Sequence, residues 1–311
     1  MSKLPDIVGV KEKPLVSVVV TTKNEEKHIG NCLLSIREQT YPNIETIVVD
    51  NASTDKTKSI AKKYTDFVFD KGPERSAQRN YGMIDIAQGQ YVMFIDADMI
   101  LSQKLVEACV NELEMGYAIA LYISEIILGT SYWCKVRRFE RNFYDATVID
   151  SARIYRRDIF CQVGGFDEEI DFGEEWDIDK SVKKIGKIVL LENATHNFNS
   201  GWMFAEFVVS LGINPTNERN VIFHNESDFK FMRYVRKKGN YAKGFNKYIE
   251  KWGKTDPDLK RQFGLFYRYF CVFIEQGKWE KLLRHPILAF GMYWLRFLVG
   301  MKYIMRGKGE K

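Results

Sequence analysis

The apolar positions along the chain change period in a regular way. Residues 15–21 (LVSVVVT) form a continuous apolar, β-branched run that reads as a buried parallel strand. Ile29, Cys32, Leu33 and Ile36 then recur at helical spacing among charges, so 25–38 predicts an amphipathic helix. The alternation repeats, with 44–49 as a strand, 54–63 as a helix, 67–69 as a short strand, 75–88 as a helix and 91–95 as a strand. Such spacing predicts right-handed βαβ units, hence an α/β fold with a mostly parallel sheet and helices on both faces. Beyond residue 100 the regularity loosens: 102–115 predicts a helix, 117–124 a strand and 187–191 a last apolar strand. From Ser227 onward the chain reads as helical, basic and aromatic. A boundary near residue 220 divides a 1–220 body from a 221–311 helical extension.

Composition narrows the class. With 311 residues, 45% apolar and 28% charged, a packed core is easily supplied, and disordered, collagenous and disulfide-stapled proteins are excluded. Five cysteines, with no CxxC pair, argue against a disulfide framework or a zinc site and predict reduced, packed thiols. The first fifteen residues carry charges and prolines without an apolar run, so no signal peptide and a cytoplasmic location are expected. Charge is unevenly spread: residues 230–311 hold 20 basic against 6 acidic side chains, whereas residues 1–229 hold 26 against 35. A basic end on an acidic body implies an anionic partner, either a membrane surface or nucleic acid.

In a parallel α/β sheet, ligands sit beyond the carboxyl ends of the strands. Polar residues crowd there: Thr21, Thr22, Asn24 and Glu25 after the first strand, Asp50 and Ser53 after the second, Asp96 and Asp98 after YVMFI. There is no GxGxxG after the first strand and no GxxxxGK[ST], so neither a dinucleotide site nor a P-loop is supported. Asp96 and Asp98 have the chemistry to hold a hard divalent cation against a diphosphate. The same triplet also serves as a turn or a helix cap.

Five runs, PLVSVVVTTKNEEKHI, IVVDNASTDKT, GPERSAQRNYGMIDIAQGQYVMFIDADM, VGGFDEEI and GEEWDID, follow in this order over about residues 14–200. Together they resemble the family 2 glycosyltransferases of GT-A fold. The resemblance implies a metal-dependent, hexosyltransferase-like inverting enzyme that uses Mn or Mg and moves a sugar from a nucleotide diphosphate sugar donor to an acceptor hydroxyl. It assigns Thr21, Thr22, Asn24, Glu25 and Asp50 to the nucleoside pocket. Arg79, with Arg75 as second candidate, would reach the nucleotide. Asp98 would be the metal-binding carboxylate, with Asp96 nearer the ribose or a metal-bound water. His196 would approach the metal or diphosphate, or else be a packed residue, and His224 resembles a histidine that precedes the C-terminal helices of some relatives. Residues 167–179 hold eight acids in thirteen positions, a density that costs self-repulsion unless cations or a task offset it. In the family, the second acid of the pair after GGFDE is the general base, usually aspartate. Here the pair is Glu174 and Glu175, which puts Glu175 in the base position and leaves Glu174 or Asp177 as substitutes.

The end of the chain is apolar and aromatic over 286–305 but interrupted by Arg296 and Lys302. Its longest uncharged run, 286–295, is ten residues, about half the ~20 that a membrane crossing needs. On a helical wheel, Phe290, Trp294, Phe297, Met301 and Ile304 share one face, while Arg296, Lys302 and Arg306 gather on another. This predicts a helix lying in the membrane interface with its basic residues toward anionic headgroups. The expected partners are an anionic membrane surface through 278–311, at the inner face of the cell membrane, and, by resemblance, a polyprenyl-type lipid-linked glycan acceptor. Alternatives are a soluble or polysaccharide acceptor, or a non-enzymatic basic binding protein on an inactive GT-A body. No nucleic-acid motif is recognisable, and no nucleic acid is expected.

Overall fold

A computed structural model describes residues 12–192, 202–213, 220–240 and 244–307. The body starts with β1 (Val16–Thr22), fully buried as its apolar run demands, then α1 (Ile29–Arg37), β2 (Ile44–Asp50), α2 (Thr57–Ala61) and β3 (Val68–Asp70). Next come α3 (Arg75–Asn80), β4 (Tyr91–Asp96), β5 (Met99–Leu101), α4 (Leu105–Glu114), β6 (Ala120–Tyr122) and β7 (Glu125–Leu128). They are followed by α5 (Tyr132–Arg141), β8 (Ala152–Arg156), α6 (Arg157–Gln162), α7 (Glu174–Lys183), β9 (Ile188–Leu190), α8 (Ala205–Ser210) and β10 (Ile222–Asn225).

Seven strands form one sheet in the order β3-β2-β1-β4-β8-β6-β9, and β5-β10-β7 form a second. The pairs β1–β2, β1–β4, β2–β3 and β6–β9 are parallel, while β8 runs antiparallel to both its neighbours. Alternation along β1 divides the core: Val18 and Val20 pack with α1 and α4, whereas Val19 packs in the opposite layer with Met83, Phe94, Phe166 and Ile178. The five cysteines are free, and Cys32, Cys109 and Cys134 are buried.

The helix expected over 54–63 contracts to α2, and that over 75–88 changes at Tyr81 into a π-helical stretch, Tyr81–Ile86. Gly82 within that stretch lies against Val19, leaving no room for a Cβ. The expected boundary near 220 falls just before β10, which is hydrogen-bonded to both β5 and β7 of the body.

The remaining helices are α9 (Phe231–Asn240), α10 (Asn246–Trp252), α11 (Pro257–Phe263), α12 (Val272–Ile274), α13 (Trp279–Arg284) and α14 (Pro286–Gly307), with a π-helical turn at Tyr267–Cys271. Val136, Phe139 and Phe143 form their shared core with Phe273, Met292 and Leu295. The basic end supplies counterions to the acidic strip. Lys251 lies 2.9 Å from both Asp167 and Asp177, and Lys247 lies 3.1 Å from Glu169. Part of the anionic partner implied by the charge asymmetry is therefore the protein's own body. One expectation for α14 is overturned. Arg296 does not face outward but is buried against Glu140 at 2.9 Å, while Phe290 (70% exposed), Trp294 (46%) and Phe297 (49%) point to solvent.

Helix α7 is pinned to the sheet by Asp179, whose buried carboxylate accepts hydrogen bonds from the Tyr155 hydroxyl at 2.9 Å and the Ala152 N–H at 3.1 Å. Burial is the main reason its pKa is pushed up from 3.8 to about 7. Between about pH 4 and 7 the folded chain holds a proton there that the unfolded chain has released, so this group makes stability fall as pH rises through that window. Asp179→Asn should remove that component, giving a melting temperature that declines less from pH 5 to pH 8 than the wild type's. Parallel melting profiles for the two proteins would contradict this.

Candidate active site

The carboxyl ends of three adjacent strands converge, because β1 is in register with β2 and β4 so that Thr22 pairs with Asp50 and Thr21 with Asp96. The loop after β1 turns at Asn24, which has a positive φ of 54°, a conformation that asparagine tolerates better than most residues. It is laced to the loop after β2: the Asn24 N–H donates to Ser53 Oγ at 2.7 Å, Asn24 Oδ1 accepts from the Thr54 N–H at 2.9 Å, and the Glu25 N–H donates to Thr57 Oγ1 at 2.8 Å. Asp50, expected to bind base or ribose, is instead buried, and both its oxygens accept from Ser53 at 2.5 and 2.6 Å. It shapes the loop. The Thr22 hydroxyl is buried without a hydrogen-bond partner among the described residues.

Asp96 ends β4 and Asp98 lies in the turn between β4 and β5. Asp96 accepts from the Thr21 hydroxyl at 3.3 Å and pairs with Arg79 at 3.4 Å. Burial would raise its pKa, but Arg79, Arg153 and Arg75 outweigh that and lower it to about 2. One Asp98 oxygen pairs with His224 Nε2 at 3.2 Å, and the other is buried with no hydrogen-bond partner among the described residues. Burial, and then the nearby charges of Asp98, Asp55 and Asp96, pushes Glu25 up to about 7. A partnerless carboxylate oxygen among mutually repelling acids fits a hard divalent cation. Among the described residues no three His, Cys, Asp or Glu side chains are arranged to hold one, and His196 lies outside the described residues.

Arg79, expected on the nucleotide, is instead fully buried, with its guanidinium 4.2 Å from the Phe94 ring centroid and 5.2 Å from that of Phe166. It lies 3.0 Å from Glu175, 3.4 Å from Asp96 and 3.7 Å from Glu174. Arg75, about half exposed, pairs with Glu174 at 3.4 Å. Both glutamates start α7, whose entry at Gly173 needs the left-handed φ of 90° that glycine adopts freely. Glu175 keeps 27% of its side chain exposed, against 7% for Glu174. Burial pushes Glu175 up, but Arg153, Arg79 and Arg75 outweigh it and hold its pKa below the ordinary carboxylate value. Burial and the adjacent Glu175 raise Glu174. Asp177 is committed elsewhere, accepting from Trp252 Nε1 at 2.7 Å and Lys251 at 2.9 Å.

Two residues that sequence reasoning missed complete the arrangement. Arg153 of β8 lies 2.6 Å from Glu125 and 3.7 Å from Glu175, and Glu125 of β7 lies 3.9 Å from His224. Burial would depress the His224 imidazole, but Asp98 and Glu125 hold it well above its ordinary value. A signal for Glu125 existed, since it is a lone carboxylate inside the apolar run LYISEIIL. The result is a chain of alternating charge that begins and ends on an aspartate: Asp96, Arg79, Glu175, Arg153, Glu125, His224, Asp98. Glu125, Arg153, Glu174, Glu175 and His224 also line a cavity of about 910 Å³ between the body and the C-terminal helices.

This α/β body is a GT-A-like fold. It resembles a mannosyltransferase from Pyrobaculum calidifontis solved with GDP-Man and Mn2+, with a TM-score of 0.55 and 18% identity over 94% of this chain and 88% of that one. It also resembles Staphylococcus aureus TarS, with a TM-score of 0.50 and 18% identity over 86% of this chain and 45% of that one. Residues 17–164 match the family model of glycosyl transferase family 2, and this part of the chain is a domain of that family. The glycosyltransferase GlyA of Streptococcus pneumoniae is 33% identical over 139 residues, 39% of this chain and 20% of the relative. GlyG of the same species is 28% identical over 136 residues, 42% of each. The chain thus aligns with less than half the length of these relatives.

Replacing Arg79 with methionine leaves Asp96, Glu174 and Glu175 without their shared cation. Removing one partner from a buried ion pair typically costs about 3–5 kcal/mol, and Arg79→Met should lower the urea unfolding midpoint accordingly. An unchanged midpoint would show that the arginine does not hold the carboxylates together.

Proposed function

We propose that the chain transfers a sugar from a nucleotide diphosphate sugar to an acceptor hydroxyl with inversion, Glu175 serving as general base. The observation that carries this reading is the position of Glu175. It is the more exposed acid of its pair, it lines the large cavity, and it is joined through Arg79 to the Asp96 rim. Arg79 and Arg153 keep Glu175 ionised and therefore able to take a proton while bond formation proceeds. The acceptor would enter from the cavity side and the donor diphosphate would lie over Asp96 and Asp98, with the loop from Thr21 to Glu25 against the nucleoside. Arg75, at the rim, has the exposure to reach a phosphate; Arg79 acts from beneath. When bound at Asp98 and Asp96, a divalent Mn or Mg ion supplies charge neutralisation for the departing diphosphate.

The acceptor in this reading is a lipid-linked glycan met at an anionic membrane face. Its support is the outward aromatic surface of α14 and the apolar side chains at one end of the cavity. A helix that lays aromatic residues into the interface binds through buried apolar area. Among the described residues no helix is long and apolar enough to cross a membrane.

Glu175→Gln should lower kcat about 100- to 10,000-fold while leaving donor affinity within a few-fold, and Asp98→Ala should abolish the metal-dependent part of donor binding measured by calorimetry. Full turnover in Glu175→Gln with loss in Glu174→Gln would move the base to Glu174. Metal-dependent donor binding that survives in Asp98→Ala would remove Asp98 from the donor site.

A further inference from the structure

Five consecutive residues, Phe172 to Trp176, line the cavity where the chain enters α7, so the side chain that follows Glu175 borders the same space. Trp176 is partly buried and sits between two apolar clusters, one containing Phe273 and Met292, the other Tyr248 and Leu259. The C-terminal helices bring two more rings to it. Phe245 stacks on the indole, with centroids 5.6 Å apart and planes 8° from parallel, and Phe263 meets it edge-on at 6.2 Å. Phe245 and Phe263 lie edge to face at 5.0 Å, and both line the cavity.

The polar tips of these rings are used differently. Trp252 Nε1 donates to Asp177 at 2.7 Å and the Tyr248 hydroxyl donates to Gln262 at 2.9 Å, whereas the Trp176 indole N–H makes no hydrogen bond among the described residues. Beside the rings stand Glu174 and Glu175, two carboxyl groups that also line the cavity. An aromatic face is electron-rich and attracts the positive ends of C–H bonds. A pyranose matches such a wall, because its ring face is apolar and its hydroxyls project at the edges, where each needs a hydrogen-bond partner once out of water. A hydrocarbon chain would use the rings and leave the acids and the indole N–H unanswered. A quaternary ammonium suits aromatic rings but would meet Arg75, Arg141 and Arg153, which line the same cavity.

We propose that Trp176, with Phe245 and Phe263, forms the platform on which the pyranose ring of the acceptor stacks, its hydroxyls meeting Glu174, Glu175 and the indole N–H. This rests on the reading of Glu175 as the general base, and it names what that base would act on. Recognition of the acceptor sugar is then shared: the body supplies Trp176 beside the base, and the C-terminal helices supply the rings that hold the indole in place.

The test is fluorine NMR on the full chain labelled with fluorotryptophan, which places one reporter on each of the six indoles; Trp176→Phe identifies the line of Trp176. The probes are the methyl glycosides of glucose, galactose, mannose and N-acetylglucosamine, with glycerol and tetramethylammonium as controls. At least one glycoside should move the Trp176 line saturably, and neither control should. Phe245→Leu should weaken that glycoside about two- to tenfold, the range typical of one aromatic contact. Phe245→Tyr, which keeps the ring, should retain most of the affinity, and melting curves verify that each variant folds. A Trp176 line that no glycoside moves, or equal affinity in wild type and Phe245→Leu, overturns the platform. Tetramethylammonium moving the line as strongly as the glycosides overturns the sugar assignment. Nucleotide sugar binding with Mn, measured on the wild type, separates the two readings. If it fails while a glycoside acts on Trp176, the transferase reading falls alone; if it holds while no glycoside does, the platform falls alone.

Discussion

Alternating charge holds together seven side chains at the strand ends, three of which, Arg79, Arg153 and Glu125, are buried. Asp96, Arg79, Glu175, Arg153, Glu125, His224 and Asp98 follow one another at separations of 2.6 to 3.9 Å, and the two aspartates at the ends of this series lie two residues apart in sequence at the end of β4. A buried ion costs several kcal/mol to desolvate alone, so Arg79, Arg153 and Glu125 depend on the charges beside them. The series joins β4, α3, α7, β8, β7 and β10. It ties the second sheet to the first and holds the start of the helix that carries Glu174 and Glu175 to the end of β4. Its chemical consequence is an ionised but weakly basic Glu175 and an Asp98 with one oxygen that has no hydrogen-bond partner among the described residues.

The same accounting of charge explains the C-terminal helices. Lys247, Lys251 and Arg296 neutralise acids of the body, so the helices dock through ion pairs as well as through Phe273, Met292 and Leu295. With Arg296 turned inward, the aromatic face of α14 is left outward. Phe290, Trp294 and Phe297 are therefore part of what this helix offers to its surroundings.

Local signals were legible and remote ones were not. β1, β2 and β4 could be read because burial on both faces forces unbroken apolar runs, and the placement of Asp96 and Asp98 could be read because it depends only on the strand they follow. The antiparallel β8 and the strand β10 join sheets through partners far along the chain, which no local period encodes. Arg79 reads as a helix-surface charge until Phe94, Phe166 and three carboxylates are assembled around it. For α14 the two faces were legible but not which one meets the body. That choice is made by Glu140, a residue 156 positions away.

The central claim is that the carboxylate rim of Asp96 and Asp98 is the donor site and that Glu175 faces the reacting carbon from the cavity side. A crystal structure of the chain with a nonhydrolysable nucleotide sugar and Mn tests it most directly. The account predicts the diphosphate over Asp96 and Asp98, the nucleoside against Thr21–Glu25 and the anomeric carbon open toward Glu175. A nucleotide bound in another crevice, with Asp98 uninvolved, would contradict it.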